Sequence, residues 1–131
     1  MVLQAISLNE RAATVLRTMP FEQKDNGVLE VSSMWVSRHS EECHIVDVRD
    51  LDDFLGEQGH VPGAELVPVA ALEQLSQEWE VTKPVVLISE TGATGVEAAR
   101  MLAAMDIPCV VNMKGGMKAW HQHNLPVTHS W

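Results

Sequence analysis

The chain has 131 residues, 46% of them hydrophobic and 21% charged, with two cysteines and no tyrosine. This is the composition of a globular protein of one compact domain, neither disordered nor fibrous. Nine Lys and Arg stand against 18 Asp and Glu, a formal charge of -9, which repels a phosphate backbone or an anionic membrane surface, so neither nucleic acid nor membrane is expected as a partner.

Two cysteines, Cys43 and Cys109, are too few for a secreted disulfide framework. The N-terminal stretch carries Glu10, Arg11 and Arg17 in place of the unbroken apolar core of a signal peptide. The longest apolar runs are too short to span a bilayer. The expectation is a soluble cytoplasmic protein. Ser7 with Glu10 makes a capping box, and Leu8, Ala12, Val15, Leu16 and Met19 then share one helical face until Pro20. That helix reads either as a lid over the core or as a docking or dimer surface. Lys24, Asp25, Asn26 and Gly27 form a turn, which divides the chain into an N-terminal helix and turn (1–27), a main domain (28–127) and a C-terminal tail (128–131).

Residues 28–31 form a short strand, and Ser32 or Ser33 caps a helix of about two turns through Met34, Trp35 and Val36. Residues 44–48, HIVDV, are β-branched and bounded by charge, the pattern of a strand buried on both faces. Asp50 to Leu55 makes a helical turn, and Gly59, His60, Val61, Pro62, Gly63 and Ala64 make a shaped loop. Residues 66–69 suit an edge strand, where Pro68 is tolerated on an unpaired side. Residues 69–79 carry Leu72, Leu75 and Trp79 at helical spacing, and residues 84–88, PVVLI, form a second central strand. Thr94 with Glu97 predicts a capping box that opens a helix through Ala98, Ala99, Leu102 and Ala103 to about Met105. Residues 108–113 form a third strand, Gly115 and Gly116 a turn, and residues 117–123 a final helix. Strands alternating with helices predict an α/β fold with a mainly parallel sheet covered on both faces.

In an open parallel sheet, ligands bind beyond the carboxyl ends of the strands. The loop that leaves PVVLI is Ser89, Glu90, Thr91, Gly92, Ala93, Thr94 and Gly95. Its glycines let backbone N–H groups turn inward, and the following helix N-terminus favours negative charge. The loop itself holds no Lys or Arg, and Glu90 opposes an anion. At about 5 Å, in an effective dielectric near ~20, that carboxylate costs a monoanion roughly 3 kcal/mol.

One ordered set of motifs runs through the chain. It consists of Ile45-Val46-Asp47-Val48-Arg49 with Asp53-Phe54, then the loop from Gly59 to Ala64, then residues 85–88 with their loop. Gly115-Gly116-Met117-Lys118-Ala119-Trp120 and Leu125-Pro126 complete it. The set resembles the single-domain rhodanese family over residues 28–127. The resemblance implies a five-stranded parallel sheet with helices on both faces, and sulfurtransferase activity. In active members of that family the loop after the PVVLI-like strand begins with a cysteine, whose thiolate takes sulfane sulfur as a persulfide, and an arginine commonly follows it or lies later in the loop. Here the position is Ser89, followed by Glu90. An alcohol is far more basic than a thiol and its oxygen forms no S–S bond, so sulfur transfer through Ser89 is not expected. The related dual-specificity phosphatases need a loop cysteine too, with an arginine six positions on, where this chain has Gly95.

Cys43 and Cys109 precede strands, which puts them at the amino edge of a parallel sheet, on the order of 15 Å from the loop. They read as buried structural thiols. Ser89 lacks the Gly-x-Ser-x-Gly elbow of serine hydrolases. Asp47 and Arg49 read as a structural pair pinning the next loop. His60, Gly63, Gly115 and Gly116 belong to the structural motif, and Trp120 to the core. Trp131 is either loose or a contact anchor. His121, His123 and His129 read as solvated surface, so no metal or cofactor is expected. The resulting expectation is a rhodanese-like domain without the family cysteine, binding an unknown protein or small molecule through residues 89–95. The alternative is a thiosulfate sulfurtransferase with weak or relocated thiol chemistry, acting through Cys43 or Cys109 or with a cysteine-bearing partner. A third reading makes the N-terminal helix a homodimer surface.

Overall fold

A computed structural model describes residues 27–131 together with Val15, Arg17, Met19, Pro20, Glu22 and Gln23. The strands are β1 (Glu22–Gln23), β2 (Leu29–Val31), β3 (His44–Asp47), β4 (Glu65–Leu66), β5 (Val85–Ile88) and β6 (Val110–Met113). They lie in one sheet in the order β1-β2-β6-β5-β3-β4. The five strands from β2 to β4 in that order are mutually parallel, as expected. The sequence reading lacks β1, which adds a short antiparallel pairing to β2 at one edge. The helices are α1 (Ser33–His39), α2 (Leu51–Phe54), α3 (Val69–Ser76), α4 (Ala93–Ala104) and α5 (Gly116–Gln122).

β5 is buried at every position because β3 and β6 flank it and helices cover both faces. Alternation along the strand sorts its side chains. Val86 and Ile88 join Trp35, Val36, Met117 and Trp120 under α1 and α5. Val85 and Leu87 join Leu72, Ala98 and Leu102 under α3 and α4. Met19 is buried in the first of these clusters and Val15 packs against it, as a lid over the core would do. The predicted Ser7–Glu10 capping box, with Leu8, Ala12 and Leu16, and the turn residues Lys24, Asp25 and Asn26 lie outside the described residues. Among the described residues no helix is long and apolar enough to cross a membrane.

Local chemistry settles several boundaries. Ser32, rather than Ser33, caps α1, its Oγ accepting from Trp35 N–H at 3.1 Å. Asp50 caps α2 by accepting from Asp53 N–H at 3.0 Å. The edge strand β4 comes earlier than the sequence suggests, and Pro68 stands at the N-cap of α3 instead of inside a strand. A residue without an N–H is suited to a helix start, where donors have no partner. The Thr94–Glu97 capping box does not form. α4 begins at Ala93 behind Gly92, whose φ of 101° lies in the left-handed region, and Glu97 instead lies 3.8 Å from Arg100. Gly116 is likewise the first residue of α5 rather than part of a turn, with Gly115 as its N-cap.

Candidate functional site

The chain leaves β5 into a loop whose base is clamped. Ser89 is 1% exposed, and its Oγ accepts from Gly92 N–H at 2.9 Å. Its carbonyl accepts from Met117 N–H at 2.8 Å, and the Glu90 carbonyl accepts from Lys118 N–H at 2.9 Å. The first turn of α5 therefore holds the first two residues of the loop. Asn112, on the neighbouring strand β6, is fully buried and reaches under the loop. Its Nδ2 donates to Glu30 Oε2 at 2.8 Å and to the Gly92 carbonyl at 3.2 Å. Two glycines permit this closeness. A Cβ on Gly95 would overlap Asn112 Oδ1 and lie 3.3 Å from Ser89 Oγ, and one on Gly116 would strike the Ser89 carbonyl.

Charge reaches the loop from β3. Arg49 is 8% exposed and Asp47 wholly buried. The guanidinium forks onto the carboxylate, Nε to Oδ1 at 3.0 Å and Nη2 to Oδ2 at 2.9 Å. Nη2 also donates to the Gly59 carbonyl at 3.0 Å, which ties the pair to the start of the Gly59–Ala64 loop. Nη1 donates to Glu90 Oε2 at 3.3 Å. The loop sequence carries no cation, yet the folded loop has one beside it. The repulsion assigned to Glu90 from sequence is thereby reduced. The signal that finds Arg49 is register, because Asp47 pairs with Ile88 and residues 49 and 90 each follow two positions later. Burial is the largest influence on Arg49 and lowers its pKa. The Asp47 hydrogen bonds and charge, with those of Glu90, outweigh it and leave the pKa above the ordinary value.

Three depressions meet at Glu90, whose side chain is 55% exposed. One of about 410 Å³ is lined by Arg49, Asp50, Asp53, Val69, Ser89 and Glu90 among others. A second, of about 380 Å³, includes Asp52, Asp53, Glu57 and Glu90. A third, of about 420 Å³, includes Glu90, Thr91, Lys118 and His121. The Asp53 carboxyl pKa is raised, first by desolvation and then by its hydrogen bond and charge interaction with Asp50, with Glu90 adding and Arg49 opposing.

The thiols lie elsewhere. Cys43 and Cys109 immediately precede β3 and β6, whose first residues, His44 and Val110, both pair with Val85, four residues before Ser89. At ~3.3 Å per residue the separation is on the order of 15 Å. Desolvation, then the charge of Glu42, pushes the Cys43 thiol from its ordinary 9.0 up to about 12, with Lys83 opposing. Desolvation raises Cys109 as well. Both are poor nucleophiles near neutral pH. Cys43 also makes stability depend on pH. Its folded pKa exceeds the unfolded one, so its contribution is fully present below pH 9 and is lost as pH rises toward about 12. The unfolded chain releases the proton first, and stability falls by up to about 1.4 kcal/mol per pH unit. Urea titrations of the native chain and Cys43→Ala should show their stabilities converging across that range. Parallel curves would contradict the assignment.

The remaining motif residues are structural in their contacts. His60 is 2% exposed, stacks on Phe54 with ring centroids 3.5 Å apart, and hydrogen-bonds the Phe54 carbonyl at 2.6 Å. Gly63 sits at φ +85° with nothing near its Cβ position, so conformation alone requires glycine there. Trp120 is in the core, and its indole N–H donates to the Pro126 carbonyl at 2.9 Å. Trp131 is 80% exposed and meets Phe54 edge-on at 5.7 Å. His121 and His123 lie at the end of α5 and His129 in the tail. Among the described residues no group of three or more His, Cys, Asp and Glu is placed to hold a metal ion. The fold thus brings Asp47, Arg49, residues 89–95 and Gly116 together, and keeps both thiols away.

The architecture is that of a parallel α/β domain with a glycine-containing loop, residues 89–95, at the carboxyl edge of its central strand. The chain belongs to the rhodanese-like domain family, whose profile matches residues 32–123. It is 33% identical over 78 residues to the uncharacterized protein YqhL of Bacillus subtilis, covering 60% of this chain and 60% of that protein. That match spans less than two thirds of the relative. It is 26% identical over 102 residues to the thiosulfate sulfurtransferase GlpE of Vibrio cholerae, covering 78% of this chain and 94% of that protein. The crystal structure of a rhodanese-related protein from Thermoplasma volcanium superposes with a TM-score of 0.71 at 18% identity, covering 77% of this chain and 98% of that one. At that identity the likeness concerns the fold.

Proposed function

We propose that the protein is a rhodanese-like binding or regulatory module that takes its ligand or partner through residues 89–95 and transfers no sulfur. One observation carries this reading. The side chain at the end of β5 is a buried hydroxyl that already accepts the Gly92 N–H, where the family pattern has a thiol. A hydroxyl holds its proton at any physiological pH and forms no persulfide. The relatives named as sulfurtransferases support membership of the family, and this replacement separates the chain from their chemistry. The alternative, sulfur transfer through Cys43 or Cys109, is disfavoured by their place at the opposite edge and by their raised pKa values.

A thiosulfate-to-cyanide sulfur-transfer assay tests the reading. The native chain should turn over no faster than a Cys43→Ser, Cys109→Ser double variant, with both at the uncatalysed rate. Turnover in the native chain that disappears in the double variant would overturn it and restore the enzyme alternative.

A further inference from the structure

The short helix α2 is a wall between two unlike depressions. On one side lies the acidic cleft of about 380 Å³, walled by Asp52, Asp53, Glu57 and Glu90. Among the described residues its only lining cation, Arg49, is committed to the buried Asp47. On the other side a depression of about 250 Å³ is lined by Phe54, Ala64, Leu66 and Trp131, with Glu65. Leu51 and Leu55 stand on the wall one helical turn apart, 48% and 41% exposed. Leu51, Leu55 and Trp131 are three of the four large apolar side chains exposed among the described residues, and all three are carried by α2 or packed against it. Single exposed leucines need no explanation, but two of them one turn apart at a helix whose Phe54 carries an exposed indole point to a contact surface.

The tail that presents Trp131 is tied down. His60 and Thr128 exchange backbone hydrogen bonds at 2.9 Å in both directions, and His129 Nε2 lies 2.8 Å from the Glu57 carbonyl. The indole is therefore set against Phe54 before any partner arrives, which lowers the entropy lost on binding. Tryptophan is among the residue types enriched at interface hot spots.

We propose that α2 and Trp131 form a docking surface for a peptide segment of a partner protein that carries Lys or Arg beside an aromatic or aliphatic side chain. The basic residues enter the acidic cleft and reach Glu90, while the apolar residue lies on Leu51, Leu55 and Trp131. This rests on the binding-module reading and gives its partner a chemistry. Charge complementarity selects the occupant. An acidic or neutral peptide leaves the cleft unpaired, and a small cation leaves the apolar crest in water.

The experiment uses the full ¹⁵N-labelled chain and a short synthetic peptide carrying lysines and one phenylalanine. Two control peptides replace the lysines by glutamate or the phenylalanine by alanine. The first peptide should shift the α2 amides and the Trp131 indole. Its affinity should fall about tenfold with the alanine control, and also in a Leu51→Ser, Leu55→Ser variant, each through lost apolar burial. Binding should vanish with the glutamate peptide and weaken strongly at molar salt, where the Debye length is about 3 Å. The variant changes exposed positions, so an unchanged melting temperature will exclude a folding defect. Shifts confined to residues 89–95, equal affinity for the alanine control, or no shift with any peptide would each overturn the docking surface. A chain that binds the peptide at α2 yet transfers sulfur would leave this surface standing and sink the reading of residues 89–95.

Discussion

Replacing Arg49 with methionine is expected to cost about 3–5 kcal/mol of folding stability, as breaking one side of a buried ion pair does. Asp47 is fully buried at the end of β3, and the guanidinium supplies all of its side-chain donors. Methionine keeps much of the apolar stem but leaves the carboxylate with only the backbone N–H of residue 49, at 3.0 Å. The Gly59 carbonyl loses its donor in the same step. Desolvation, not the lost attraction, dominates the cost, so removing the partner charge should recover a large part of it. Urea titration of Arg49→Met beside an Asp47→Asn, Arg49→Met double variant measures this directly. A single-variant cost below about 1 kcal/mol, the range of surface pairs, would show that the pair does not hold the loop.

Gly116→Ala should cost about 3 kcal/mol. Its φ of +57° places an alanine in the left-handed region, worth about 1–2 kcal/mol of strain. Its Cβ would also strike the Ser89 carbonyl and come within 2.7 Å of the Glu90 backbone. Those atoms cannot yield, because Met117 and Lys118 N–H bind the same two carbonyls. Moving α5 away would break both bonds and open the floor of the loop. Gly63→Ala separates the two contributions. Its φ of +85° is as unfavourable, but nothing lies near its Cβ position, so it should cost only about 1–2 kcal/mol. Equal melting-temperature losses for the two variants would show that contact with the loop adds nothing.

The strands β3, β5 and β6 were legible because each is a short apolar run with nearly every position buried, and α1 because a serine precedes an apolar face. The place of the loop followed from β5 and the parallel topology. What stayed hidden depended on neighbours distant in sequence. β1 is two exposed polar residues with no pattern of its own. The Thr94–Glu97 motif reads as a cap, yet Ser89 Oγ and Asn112 fix Gly92 first and start the helix earlier. Arg49 looked wholly structural until the register of β3 against β5 put it beside Glu90. Trp131 had no pattern around it, and its partner Phe54 is 77 positions away in the chain.

Mass spectrometry of the native chain and of Ser89→Cys after incubation with thiosulfate bears most directly on the replacement of the family thiol. Gly92 N–H points at the residue 89 side chain and the α4 N-terminus follows, and both would favour a thiolate there. Ser89→Cys should gain one sulfur atom at residue 89, while the native chain gains none. Sulfur appearing on Cys43 or Cys109 of the native chain would contradict the account.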